Sequence, residues 1–159
     1  MTVIRAAITQ TTWTGDKQSM LDKHEQFARE AKAQQAEVIC FQELFYGPYF
    51  GITEDAKYYE YAEPADGPIV QRFATLAAEL SMVMVLPIYE EEQPGVYYNT
   101  AVVVDADGSI LGKYRKNHIP NLDKLLGEVL LPPRQPGLPG VPDRRRSDRG
   151  LHLLRPALS

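Results

Sequence analysis

Two hydrophobic periods run through residues 3–124 and mark out different elements. Val3 to Gln10 is apolar, closes in a Thr-rich turn, and predicts a first strand. Asp16 is placed to cap a following helix, in which Met20, His24, Phe27, Ala28 and Ala31 recur at helical spacing. Glu37 to Gln42 is short and nearly all apolar, the pattern of a strand covered on both faces. Gly67-Pro68 opens a second amphipathic helix with Ile69, Phe73, Leu76, Ala77 and Leu80 on one side. Met82 to Tyr89 predicts a third strand and Tyr97 to Asp105 a fourth, with Gln93-Pro94-Gly95 turning the chain between them. Asp107-Gly108 is a tight hairpin signal, so Ile110 to Tyr114 should return antiparallel.

The order strand, helix, strand, helix, strand, strand, strand predicts an α/β domain with a mixed sheet and helices on one face. The opposite sheet face also needs cover. On that face Val83, Val85, Val102 and Val104, or their alternating neighbours, should lack it unless a second sheet is supplied.

The texture changes after Lys124. Residues 125–159 carry Pro132, Pro133, Pro136, Pro139, Pro142 and Pro156, half of the chain's 12 prolines, and no Tyr, Phe or Trp. Neither period is legible there. The chain therefore divides into a patterned part, residues 1–124, and a Pro/Arg-rich tail, residues 125–159, expected to be disordered. A sharper reading takes Pro132-Pro133-Arg134-Gln135-Pro136 as a polyproline recognition motif, which would make the chain a non-catalytic adaptor.

Composition narrows the function classes. A net charge of −4 gives no reason to expect nucleic acid or an anionic membrane as partner. No apolar run approaches the roughly 20 residues that span a bilayer. The single cysteine, Cys40, excludes an internal disulfide, and a cytoplasmic setting is expected. No His/Cys/Asp cluster has metal-ligand spacing, and no Gly-rich phosphate loop occurs.

Two charged residues stand at strand ends. Glu43 leaves the run Val38-Ile39-Cys40-Phe41-Gln42 and enters the aromatic loop Leu44-Phe45-Tyr46-Gly47-Pro48-Tyr49-Phe50. Lys116 follows the last predicted strand, inside Tyr114-Arg115-Lys116-Asn117-His118-Ile119-Pro120. Taken singly, each could be an ordinary solvated charge. Cys40 lies inside the buried run, where a cysteine behaves as a small hydrophobe. His118 reads as a structural or pocket-lining residue.

Together these motifs resemble the nitrilase superfamily of carbon–nitrogen hydrolases over residues 3–124. The matching segments are Phe41-Gln42-Glu43-Leu44-Phe45, Asn99-Thr100-Ala101-Val102-Val103, Gly112-Lys113-Tyr114-Arg115-Lys116 and Asn117-His118-Ile119-Pro120. The extended form Arg115 to Pro120, with Pro48-Tyr49-Phe50, looks most like the β-ureidopropionase and N-carbamoyl amidohydrolase branch. Aliphatic amidases and nitrilases of the same superfamily are the alternative. The resemblance implies an α-β-β-α sandwich, here truncated to roughly its first half, and a homo-oligomer for the full-length form. It implies a Glu-Lys-Cys site with Glu43 as general base and Lys116 as the stabilising cation, no cofactor, and a small-molecule amide or ureido substrate. Phe41, Phe45 and Tyr46 should raise the basicity of Glu43. The nucleophile belongs on a later strand, and its absence from residues 1–124 implies that the chain as written is inactive.

The tail permits one further reading. With one permitted set of codons, dropping a single nucleotide at Leu125 turns Leu125 to Leu131 into F-W-E-K-F-Y-F. Continued, the same shift allows I-C-Y, with its cysteine codon straddling Leu153 and Leu154. Those strings look like the family's continuation, so residues 125–159 are expected to be translated out of frame.

Overall fold

The computed structural model describes residues 3–50 and 55–118, and the backbone of residues 121–122 and 125–126. Five strands form one sheet in chain order: β1 (Ala6–Ile8), β2 (Val38–Cys40), β3 (Val83–Gln93), β4 (Val96–Val104) and β5 (Ile110–Arg115). The first three are parallel, and β3, β4 and β5 are joined antiparallel. Helix α1 (Lys17–Ala33) connects β1 to β2, and α2 (Pro68–Leu80) connects β2 to β3. A 3-10 helix, Ala56–Tyr61, lies between β2 and α2.

Local chemistry sets the element ends. The Asp16 carboxylate accepts the Ser19 N–H at 3.0 Å, the N-cap expected from the sequence. Helix α2 starts at Gly67-Pro68, and Gly67 has no side chain to cap with. The buried Glu63 takes that place, its carboxylate accepting the Ile69 N–H at 2.7 Å. Gly108, at φ +87°, turns the β4–β5 hairpin, and a Cβ there would sit 2.8 Å from the Ala74 carbonyl on α2.

Both helices pack on one sheet face. Leu21, Ala28 and Ala31 of α1 and Ile69, Val70, Phe73, Leu76 and Ala77 of α2 close over Ile39, Met84, Leu86, Ile88, Val102 and Val104. The register makes the other face readable. Cys40 pairs with Val85 and Val85 with Val103, so Cys40, Val83, Val85, Ala101 and Val103 share the side away from the helices. These five are only part-buried. The expectation thus holds for Val83 and Val85 but not for Val102 and Val104, which are covered by the helices; their neighbours Ala101 and Val103 face outward instead.

Some elements differ from the sequence reading. The first strand is three residues long and leaves Val3 and Ile4 exposed. The third runs on to Gln93, because its ladder with β4 continues through a bulge to the Gly95 turn. Beyond β5, β6 (Asn121–Leu122) pairs antiparallel with β7 (Leu125–Leu126), a short ladder at the point where periodicity fades. The polyproline motif, Ile119-Pro120, Lys124 and residues 127–159 lie outside the described residues.

Candidate active site

The chain leaves β2 through a bend that carries Glu43 out of the core. Gln42 prepares it. Its N–H donates to Thr9 Oγ1 at 3.0 Å and its side chain brackets the Thr11 backbone, accepting N–H at 2.6 Å and donating to C=O at 3.1 Å. Leu44 then adopts a left-handed conformation, φ 53°, unusual for a residue with a Cβ. It is held there by burial against Phe50 and Tyr89. A strained residue beside a functional candidate is the place where such a cost is usually met.

The loop is tied to β3 as well. The buried Tyr46 hydroxyl accepts the Tyr89 N–H at 2.9 Å and lies 3.4 Å from the Tyr89 carbonyl. Burial drives the Tyr46 phenol far above its ordinary range, so it stays a neutral hydroxyl. Tyr89 is the cross-strand partner of Asn99 on β4, and Asn99 is the link to β5. The Asn99 carbonyl accepts the Lys116 N–H at 2.8 Å, and the Asn99 side-chain amide donates to Glu43 Oε1.

Glu43 and Lys116, 73 positions apart in sequence, meet here. Lys116 Nζ donates to Glu43 Oε1 at 2.8 Å. Both side chains keep over a third of their surface exposed, 35% for Lys116 and 39% for Glu43. The pair therefore sits at an open sheet end and not inside the core. The apolar setting expected for Glu43 is not found among the described residues. Phe41, Phe45 and Tyr46 turn into the core, while the carboxylate faces Asn99 and Lys116. The sharp bend after Gln42, which sends successive side chains apart, is the reason.

Strand alternation separates Lys116 from its neighbours. Arg115 and Lys113 point to the helix side, where they meet Glu90, 1% exposed. Arg115 grips Glu90 with Nε to Oε2 at 2.9 Å and Nη2 to Oε1 at 2.8 Å, reaches Glu92 at 2.7 Å, and lies 3.8 Å from the Tyr98 ring centroid. Lys113 Nζ and Thr100 Oγ1 donate to the same carboxylate, the latter at 2.6 Å. Burial pushes Glu90 toward its neutral form, but the donated hydrogen bonds together outweigh it and hold its pKa at about 2. With Arg115 anchored on one face, Lys116 is directed to the other.

The remaining candidates stay apart from this pair. Cys40 is half-buried on the outward face of β2, its Sγ 3.6 Å from the Phe41 carbonyl. Burial pushes its thiol pKa up, the opposite of what an attacking thiolate needs. His118 is exposed. Among the described residues no three His, Cys, Asp or Glu side chains converge to hold a metal ion, and no helix is long and apolar enough to cross a membrane. Sequence reasoning missed Asn99 as a site residue, although it opens one of the motifs quoted above. It also missed the Glu90 cluster, because Glu90-Glu91-Glu92 reads as a solvated acidic run.

The fold agrees with that of known proteins. The carbon-nitrogen hydrolase family profile matches residues 5–146, and the chain belongs to that family. The matched span passes Lys124 into the tail. Over 119 residues the chain is 36% identical to an N-carbamoylputrescine amidase of Oryza sativa subsp. japonica, covering 74% of this chain and 39% of that protein. Over 87 residues it is 39% identical to a beta-ureidopropionase of Arabidopsis thaliana, covering 54% and 21%. A crystal structure of a carbon-nitrogen hydrolase from Helicobacter pylori G27 superposes with a TM-score of 0.76 at 26% identity, covering 84% of this chain and 46% of that one. The chain thus spans less than half the length of these relatives.

Proposed function

We propose that the chain is the N-terminal part of an amidohydrolase acting on N-carbamoyl amines or N-carbamoyl amino acids, such as N-carbamoyl-β-alanine. The observation that carries this reading is the 2.8 Å contact between Glu43 and Lys116 at the ends of β2 and β5. The names of the relatives favour ureido substrates over nitriles. In this reading a thiolate attacks the ureido carbon, Glu43 takes the thiol proton and later activates water, and the Lys116 ammonium steadies the oxyanion. Water cleaves R–NH–CO–NH2 to R–NH2, CO2 and NH3. The nucleophilic cysteine comes from outside residues 1–124, and we attribute the tail to a shifted frame that hides it.

Ammonia release from N-carbamoyl-β-alanine and N-carbamoylputrescine tests this, together with resequencing of the codons around Lys124. The 159-residue chain should release none above background. The chain continued in the I-C-Y frame should release ammonia, and Glu43→Gln in that chain should lower the rate by about 10²–10⁴. A coding sequence with no such frame, or ammonia release by the 159-residue chain that survives Cys40→Ser, overturns the reading.

A further inference from the structure

We propose that Asn99 is the positioning residue of the site: it selects which oxygen of Glu43 is tied down and which is left to take a proton. The proposal rests on the reading of Glu43 as a base. Among the described residues, Asn99 is the one that hydrogen-bonds both charged partners. Its side-chain amide donates to Glu43 Oε1, and its main-chain carbonyl accepts the Lys116 N–H at 2.8 Å. Lys116 Nζ donates to that same Oε1 at 2.8 Å. Two donors converge on one oxygen, and Oε2 takes no hydrogen bond from the described residues. A carboxylate held by one oxygen keeps the lone pairs of the other for proton transfer.

Asn99 is carried on a strand held from both sides. It lies within the β3–β4 ladder, one residue before the β4–β5 pairing begins, and opposite Tyr89, whose N–H is held by the buried Tyr46 hydroxyl. The next residue, Thr100, is locked on the other face by Glu90. A side chain on a strand fixed from both sides is a better anchor than one on a loop. Glu43 sits in a turn and is 39% exposed, so two donors on Oε1 are what restrict it. Lys116 alone could not do so, because a flexible ammonium follows its partner where an amide on a strand does not.

The test is side-chain NMR on the full 159-residue chain, with labelled glutamate and asparagine, in the native protein and in Asn99→Leu, Asn99→Asp and Glu43→Ala. In the native chain the Glu43 side-chain carbons should be ordered, and the shifted Asn99 amide proton signal should vanish in Glu43→Ala. In Asn99→Leu and in the isosteric Asn99→Asp, the Glu43 order parameter should fall below about 0.6, the flexible range. Lys116 amide exchange should change by less than about threefold, because the Asn99 carbonyl remains. That combination separates positioning from a structural role, in which Lys116 protection would fall and Glu43 would simply follow. Should the leucine variant unfold, the aspartate variant carries the same comparison. An ordered Glu43 in Asn99→Asp, or loss of Lys116 protection in step with Glu43, overturns the proposal. Failure of the base reading shows separately, as unchanged ammonia release by Glu43→Gln in the frame-continued chain.

Discussion

His24 shows how a single residue sets a pH limit. It is fully buried, donates its Nδ1–H to the Met20 carbonyl at 2.8 Å, and is ringed edge-on by Phe27, Phe41 and Phe45. Its Nε2 has no hydrogen-bond partner among the described residues. Burial first, with the Lys23 charge adding to it, lowers its pKa below the ordinary 6.5, despite the Met20 carbonyl pulling the other way. A depressed histidine is neutral in the fold, so stability is full above pH 6.5. Below that, the unfolded chain binds a proton the folded one refuses, and stability falls by up to about 1.4 kcal/mol per pH unit. His24→Leu should flatten the stability-versus-pH curve between pH 6.5 and 5; an unchanged slope would show that His24 is not the group titrating.

The Glu43–Lys116 pair makes the opposite prediction at the same scale. Both groups are more than a third exposed, and such pairs contribute little. Lys116→Ala should shift unfolding free energy by less than about 1 kcal/mol, read as a urea midpoint at constant slope. A larger loss would make the pair part of the scaffold and weaken the case for a catalytic role. Residues 43 and 116 could be found from sequence because each ends a strand inside a motif. The Glu43 surroundings could not. The aromatic neighbours Phe41, Phe45 and Tyr46 are adjacent in sequence, but the bend at Leu44 sends them to the other side, and a φ of 53° at a leucine has no sequence signal.

Among elements, the parts legible beforehand were those with local causes: the Asp16 cap, the Pro at the start of α2, the Asp107-Gly108 turn and the alternation of β3 and β4. What local pattern could not give was pairing across strands. Glu90 stands 23 and 25 positions from Lys113 and Arg115, and only the β3–β4–β5 register makes them one cluster. That cluster holds the end of β5 from which Lys116 projects. Glu90→Gln keeps the shape but removes the buried charge that Lys113 and Arg115 share, leaving Arg115 its contact with Glu92, and should cost about 3–5 kcal/mol. The pH sign follows from the depressed pKa: the Glu90 contribution is present above the ordinary 4.5 and is lost as pH falls toward about 2. Acid unfolding of the native chain should steepen across that window, and Glu90→Gln should remove the steepening. Equal acid sensitivity in both proteins would count against the cluster as a stabilising unit.

At the scale of the molecule, the described residues finish the sheet on one face only. The helix side carries a closed core. The other side presents Cys40, Val83, Val85, Ala101 and Val103, flanked by Ile8 at 87% exposure and Tyr114 at 55%. Alternation places Asn99 on this face, so the Glu43–Lys116 pair lies at its edge. The sequence foresaw an uncovered face but not its register, because period-two alternation gives two faces without saying which one the helices take. Each large apolar side chain left in water forgoes about 1.5–3 kcal/mol, and contiguous apolar patches on soluble proteins mark contact surfaces. The 159-residue chain alone should therefore bind an apolar dye and sediment as a concentration-dependent mixture. Val85 and Val103 are direct cross-strand partners at the centre of the patch. Placing opposite charges there, Val85→Lys with Val103→Glu, adds a favourable cross-strand pair while wetting the face. The double variant should lose most dye binding and sediment as a monomer, with its helix-side core intact by circular dichroism. A native chain that is monomeric at all concentrations and silent to the dye would mean this face is covered in solution, and that the sheet is not the open half-layer described above.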